Sequence, residues 1–474
     1  MKKINKYDKK YIFLLIIILC ICIILCYFSY KYITKKKIYI GCLYAKTGIL
    51  GNESYNNYLI LKDSLNYACQ KFKLNVEFIF LYKDLDDNLN NYYNWMEECI
   101  KKYNTKYFFG CWRSSERKIL IPLLLKYNVR LFYAVQYEGY ECMSHINYFG
   151  GTPNQQLIPG LKYIFSKFDF YKDVYIIGNK YIYPITTTKI ITNFIKNDKL
   201  YNMKIKDIYL FDDKNYNFIP FINKILKESN NGAIIINLIN GNINDIFFKT
   251  FYNLFYEKNS PLDKKYYYDN NLFIKNIKNI NESAFERIYN KYPIISFSIS
   301  ENTFMKNHLK YYMNSFYSVN FTNNILREPT YQLLNGVKEA EDDLLFLNKY
   351  QNKNNINIDD AQYGTFLSAL FFIKTINILI NKNLDFYNPN IYDNNKYIEL
   401  SSVGGIHRFN NNNNISKNFF ITQIDKYDIY KILYFNYMEI EPQIFIETGI
   451  DYDIFCNATE KIPILYTRKF NIDK

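Results

Sequence analysis

The residue types best suited to holding a small molecule are Trp112, Ser114 and the run Tyr133 to Glu138, which bring together an indole, hydroxyls, an amide and a carboxylate. Aromatic walls exclude water, and each hydroxyl or amide pairs one polar atom of a guest that would otherwise be buried unsatisfied. The pattern around them gives the position. Tyr107 to Cys111 reads as a short buried strand, Ser114 or Ser115 as the N-cap of a helix Glu116 to Lys126, and Val129 to Tyr133 as the next strand. In a β-α-β unit, side chains just past the carboxyl ends of the strands face a cleft and not a core, and these residues fall there.

Other chemistry is poorly served by the chain. No GxSxG, Walker A or GxGxxG pattern occurs, and no Cys-His pair has a third orienting group. His145, His308 and His407 stand too far apart for metal-ligand spacing, so neither metal nor cofactor is expected. Ser115 and Lys118 form S-x-x-K, and Lys46 to Gly48 form K-T-G. A penicillin-binding enzyme needs these elements in the opposite order, with S-D-N between them. Six cysteines lie in the body of the chain (Cys42, Cys69, Cys99, Cys111, Cys142, Cys456) without a CxxC pair. Cys42 and Cys111 read as small hydrophobes in core strands.

The formal net charge of +14 invites a nucleic-acid reading. However, Lys2, Lys3, Lys6, Lys9 and Lys10 precede an apolar segment, and Lys31, Lys35, Lys36 and Lys37 follow it. The remaining basic residues are scattered among acids, so no nucleic-acid partner is expected. That segment, Tyr11 to Tyr30, is 20 residues without a charge, long enough to cross a hydrocarbon core of about 30 Å as a helix. It reads as an uncleaved anchor, because no small-x-small site precedes Lys31. A cleaved signal, or a lipid-modified Cys22 or Cys26, is the competing reading.

With 474 residues the chain has enough material for two cores. β and α patterns alternate through strand Ile38 to Leu43, helix Tyr55 to Phe72, strand Val76 to Leu81 and helix Leu89 to Tyr103. They resume after Pro153 with helix Gln155 to Lys167, strand Val174 to Ile177, helix Ile185 to Ile195, strand Ile205 to Leu210, helix Phe218 to Lys227 and strand Ala233 to Leu238. Such alternation predicts parallel sheets.

Several ordered blocks carry a resemblance: GCWRSSERK (Gly110 to Lys118), LFYAVQYEGYE (Leu131 to Glu141), GGTPNQQLIPG (Gly150 to Gly160), IIGNKYIYP (Ile176 to Pro184), INLINGNIN (Ile236 to Asn244), PIISFSISE (Pro293 to Glu301) and SVGGIHRF (Ser402 to Phe409). Over roughly Ile38 to Leu433 the chain resembles the urea- and short-amide-binding branch of the type 1 periplasmic solute-binding proteins. The resemblance implies an α/β fold of two doubly wound lobes joined by a three-crossing hinge, here behind one N-terminal transmembrane helix.

Lobe one would comprise 38–150 plus about 320–400, with the chain returning near Met313 to Val319 and building the helix Asp360 to Ile380. Lobe two would comprise 151–319 plus about 401–445, with crossing back near Ser402, an inserted excursion at 257–292 and a C-terminal extension at 446–474. The Asn410 to Asn414 run reads as a solvent loop.

The resemblance further implies a binding protein that makes and breaks no bond. It would capture urea or a short amide for an ABC-type importer with a permease partner. Alternatively, a membrane-anchored sensor for an amide or amino-acid-like ligand would act through a signalling partner. Trp112 and Ser114 would contact the amide, Tyr133 and the backbone at Val135 would line the pocket, and Tyr181 and Tyr183 would close the opposite wall. For Ser114 a plain helix cap, and for Tyr133 ordinary packing, are the competing roles.

Asn237, with Asn240, and Ser298 would bond ligand or support the hinge, and Glu53 corresponds to a family acid in the loop after the first strand. Two departures bear on ligand choice. Ala134 stands where the family has proline, and Lys180 stands where it has an acid. Pointing into the cleft, Lys180 would favour a carboxylate; pointing outward, it would have no effect.

Overall fold

The computed structural model describes residues 16–22, 36–48, 50–86, 88–141, 143–241, 243–259, 291–299, 316–321, 340–382, 384–385, 398–410, 413–424, 430–435 and 440–443. The C-terminal extension, most of the 257–292 excursion and most of Tyr11 to Tyr30 lie outside these residues. Within that last segment, 16–22 is an exposed helix.

Lobe one is a five-stranded parallel sheet in the order β2-β1-β3-β4-β5. Its strands are β1 (Lys36–Leu43), β2 (Val76–Tyr82), β3 (Tyr107–Gly110), β4 (Arg130–Tyr133) and β5 (Ile146–Tyr148). Helices α1 (Gly51–Lys71), α2 (Leu89–Tyr103) and α3 (Ser114–Tyr127) connect them. β1 reads as a nearly continuous apolar run because it is central, flanked by β2 and β3 and covered on both faces. α2 buries Tyr92, Met96, Cys99 and Ile100, one stripe at helical spacing. Asn88 caps its start and Asn104 closes it at φ 50°.

Lobe two is a seven-stranded sheet in the order β14-β13-β10-β9-β8-β6-β7. Parallel strands β6 (Asp173–Asn179), β7 (Lys204–Phe211), β8 (Ile234–Leu238), β9 (Ile294–Ser296) and β10 (Phe316–Asn320) carry an antiparallel edge of β13 (Phe420–Ile424) and β14 (Tyr430–Phe435). Helices α4 (Leu157–Lys167) and α5 (Ile182–Asn197) bury one face, and α6 (Ile219–Glu228) and α7 (Ile243–Asn259) bury the other.

The chain then returns to lobe one as α8 (Ala340–Asn354) and α9 (Asp360–Asn381), with the hairpin β11 (Leu400–Ser402) and β12 (Gly405–His407) packed on both helices. Among the described residues, α9 is the helix long and apolar enough to span a membrane. It is instead the buried core helix of lobe one, packed along α1 and started by an Asp359–Gln362 capping box.

Three expectations change. The sequence places the return to lobe one near Met313 to Val319, but the described part of that stretch, within β10, belongs to the lobe-two sheet, and lobe one resumes in the described residues at α8. Ser402 still belongs to lobe one, and the chain recrosses over 415–419, since Asn414 bridges β5 at Tyr148. The asparagine run is not a solvent loop at its end: Asn413 and Asn414 are buried, and Tyr137 Oη donates to Asn414 Oδ1 at 2.5 Å.

Candidate functional site

In both lobes the strand order reverses beside the first parallel strand, and loops past the carboxyl ends converge there. The turn from β3 into α3 is shaped by Gly110, at φ 130°. A Cβ on Gly110 would stand 2.2 Å from the Leu43 carbonyl oxygen. Glu116 reaches back to the backbone N–H groups of Trp112 (2.7 Å) and Arg113 (3.1 Å), so Arg113 occupies the N-cap position. Ser114 is therefore not the cap. It is the first helical residue, and its hydroxyl is available elsewhere.

That hydroxyl donates to Glu138 Oε2 at 2.6 Å, at the edge of a cluster built round Arg117. The Arg117 guanidinium is fully buried and donates to Glu141 (2.8 and 3.1 Å) and Glu138 (3.4 Å). It lies 4.6, 5.0 and 5.8 Å from the rings of Tyr133, Tyr137 and Tyr148. Lys118 adds its ammonium 3.1 Å from Glu138 and 3.6 Å from Glu141, so two cations meet two carboxylates.

Burial alone would raise Glu141, but Arg117 and Lys118 outweigh it and hold the carboxyl at about 2. Glu138 is likewise held below its usual range against burial, by Lys118 and then Arg117. Tyr133 donates to the Trp112 carbonyl at 3.0 Å, and Trp112 is half-buried.

Lobe two faces this cluster with Tyr183, Thr187 and Ser298. Helices α3 and α5 approach one another across the lobes, and Gln136 Nε2 donates across to the Phe297 carbonyl at 3.2 Å. Burial, with the nearby Glu138 charge adding to it, pushes the Tyr183 hydroxyl up to about 12. Ser298 Oγ and Thr187 Oγ1 act on that hydroxyl and draw it down against burial, and both oxygens are sealed from solvent. Tyr181, in contact with Asn240, lies within the field of Arg113 from the other lobe.

Ser114, Tyr133, Tyr183 and Ser298 are thus gathered at one interlobe site, with Trp112 and Tyr181 beside it. Four expected residues stand apart. Lys180 is exposed, and its backbone N–H donates to Phe211. Asn237 is buried and bonds Asn244 and the Ile239 N–H, pinning its own turn. The Val135 carbonyl packs against Gly150, where a Cβ would approach it to 1.9 Å. Glu53 lies in the first turn of α1 and not in a loop, and its field reaches Asp359.

Sequence reasoning missed Arg117, Lys118, Glu141 and Thr187 as parts of the site. The available signal was an Arg-Lys pair in the first turns of a helix whose next residues are apolar, with two acids in QYEGYE to match it.

Residues 38–263 match the profile of the periplasmic binding protein domain family. Solved structures align over nearly all the described architecture. An amino acid ABC transporter substrate-binding protein from Pseudomonas fluorescens matches at a TM-score of 0.64, 10% identity, and 87% of this chain with 98% of the other. A solute-binding protein of an ABC transporter from R. palustris, in complex with 4-hydroxybenzoate, gives 0.63, 16%, 86% and 96%. A branched chain amino acid ABC transporter periplasmic ligand-binding protein from Burkholderia xenovorans gives 0.61, 10%, 84% and 95%. This chain has the two-lobed periplasmic-binding-protein fold. In this fold the gathered residues lie past strand ends where the two lobes face one another, while Asn237 bonds within its own turn and Val135 packs against Gly150.

Proposed function

We propose that this protein is an extracytoplasmic receptor that captures urea or a short-chain amide between its lobes and presents the closed form to an ABC-type importer. Residues Tyr11 to Tyr30 would tether it to the membrane. The observation that carries the ligand class is the trio of buried hydroxyls on Tyr183, Thr187 and Ser298, of which Tyr183 lies within the field of the Glu138 carboxylate. A planar amide offers N–H donors to Glu138 and to hydroxyl oxygens, and a carbonyl that accepts from a hydroxyl, so both partners are satisfied together. Arg117, the buried cation at this end, is already matched by two carboxylates and presents no equivalent anchor to an anionic ligand. The family resemblance of the blocks around these residues supports the same class.

Thermal unfolding of the full chain with urea, acetamide, formamide, leucine or 4-hydroxybenzoate tests the reading. A ligand at 100 times its dissociation constant adds about 2.7 kcal/mol. Stabilisation by urea or the amides is expected, with affinity lowered about tenfold in Tyr183→Phe or Ser298→Ala. Stabilisation by the carboxylates alone would overturn the amide assignment and leave the fold untouched.

A further inference from the structure

All three crossings between the lobes meet at one side chain. Phe321 directly follows β10, the lobe-two strand that leads into the second crossing. A Cβ on Gly151, in the first crossing, would stand 2.1 Å from the Phe321 ring. Lys417, in the third, places Nζ 4.6 Å from the centroid of the same ring. Lys417 is 2% exposed, and among the described residues its ammonium has no hydrogen-bond partner.

It lines a small void with Phe321, Tyr363, His407, Asn418 and Phe420. The walls have different owners: Phe321 packs in the lobe-two core and Tyr363 in the lobe-one core, while Phe420, on the lobe-two strand β13, reaches into the lobe-one core. When the lobes rotate apart, walls held by different lobes separate and water reaches the ammonium.

The charged and titratable groups around it can be named. Asp360, at the start of α9, accepts from the Phe321 N–H at 2.9 Å and is the carboxylate whose charge acts on Lys417. His407 is held neutral, lowered to about 4, chiefly by burial. Its Nδ1 lies 3.2 Å from the Ser416 carbonyl oxygen and its Nε2 3.2 Å from the Tyr363 hydroxyl. Asn418 Oδ1 is buried without a partner. Burial pulls the Lys417 ammonium down to about 8, against the favourable pull of Asp360. A cation enclosed on an aromatic face, with no direct acceptor among the described residues, disfavours the state that encloses it.

We propose that Lys417 is a spring built into the hinge. Enclosing its ammonium opposes closure, so the empty protein is biased toward open lobes and closure draws on ligand contacts. This goes beyond the ligand assignment and rests only on hinged motion of the lobes.

Hydrogen exchange on the full chain with no added solute tests it, read at cleft peptides covering 111–117 and 179–185. Lys417→Met keeps the volume and removes the charge, and should slow exchange there about three- to tenfold by depleting the open population. Asp360→Asn removes the opposing charge and should speed it. Unchanged cleft exchange in Lys417→Met, or a shift in the same direction for both variants, would overturn the proposal. Should Lys417→Met fail to fold, Asp360→Asn alone decides: unchanged or slower cleft exchange would then sink it.

Discussion

Arg117 shows why charged residues inside a protein come in sets. Alone, a buried guanidinium would be prohibitive, yet with Glu138, Glu141 and Lys118 around it the four charges cancel, and hydrogen bonds fix the β4–β5 loop against α3. Removing one member leaves another uncompensated. Glu141→Gln should therefore cost about 3 kcal/mol of stability, measured by guanidinium chloride unfolding. The pH dependence has a definite sign. Glu141 sits at about 2 against an ordinary 4.5, so its contribution is complete above about 4.5 and is lost as pH falls toward 2. His407 sits at about 4 against 6.5, so its contribution is present above 6.5 and is lost on descending to 4. Acid unfolding should accordingly weaken the protein in two overlapping stages, and Glu141→Gln should flatten only the lower one.

At the scale of elements, legibility followed length and locality. α2 was readable to the residue because its stripe, its Asn88 cap and its Asn104 terminus are all local. β5 was not, since its three residues are held by pairing with β4 and by Asn414, far away in sequence. The start of α3 was misjudged because a serine at the right spacing looks like a cap, while Glu116 satisfies the same backbone donors from inside the helix and releases Ser114 toward Glu138. Asn237 was read as ligand or hinge, and the structure ties it into the β8–α7 turn. Asn237→Ala should lower stability by about 1–3 kcal/mol in thermal unfolding while leaving solute affinity unchanged. A loss of affinity without loss of stability would return Asn237 to the site.

For the whole molecule, the two sheets place every cleft residue at a carboxyl end, and the crossings decide how the ends approach. The proposed anchor, the apolar segment Tyr11 to Tyr30, would hold the lobes at a membrane surface. With that segment present, the protein should remain in the membrane fraction through alkaline carbonate extraction, and a form lacking residues 1–35 should be released. Release of the full chain by carbonate would exclude a spanning anchor.

The sequence by itself determined the alternation that makes two parallel sheets, the interval of most helices, and the loop ends where Trp112, Ser114, Tyr133 and Tyr183 cluster. These depend on local period, turn chemistry and strand-end position, which a chain states residue by residue. Tertiary structure alone decided that Arg117, Glu138 and Glu141 form one neutralised unit, that β10 joins the second lobe, that Lys180 faces outward, and that Lys417 meets Phe321 in the hinge. Each of these is a pairing between residues distant in sequence or a choice of face. Such choices are set by which surfaces dock and which charges find compensation once water is excluded.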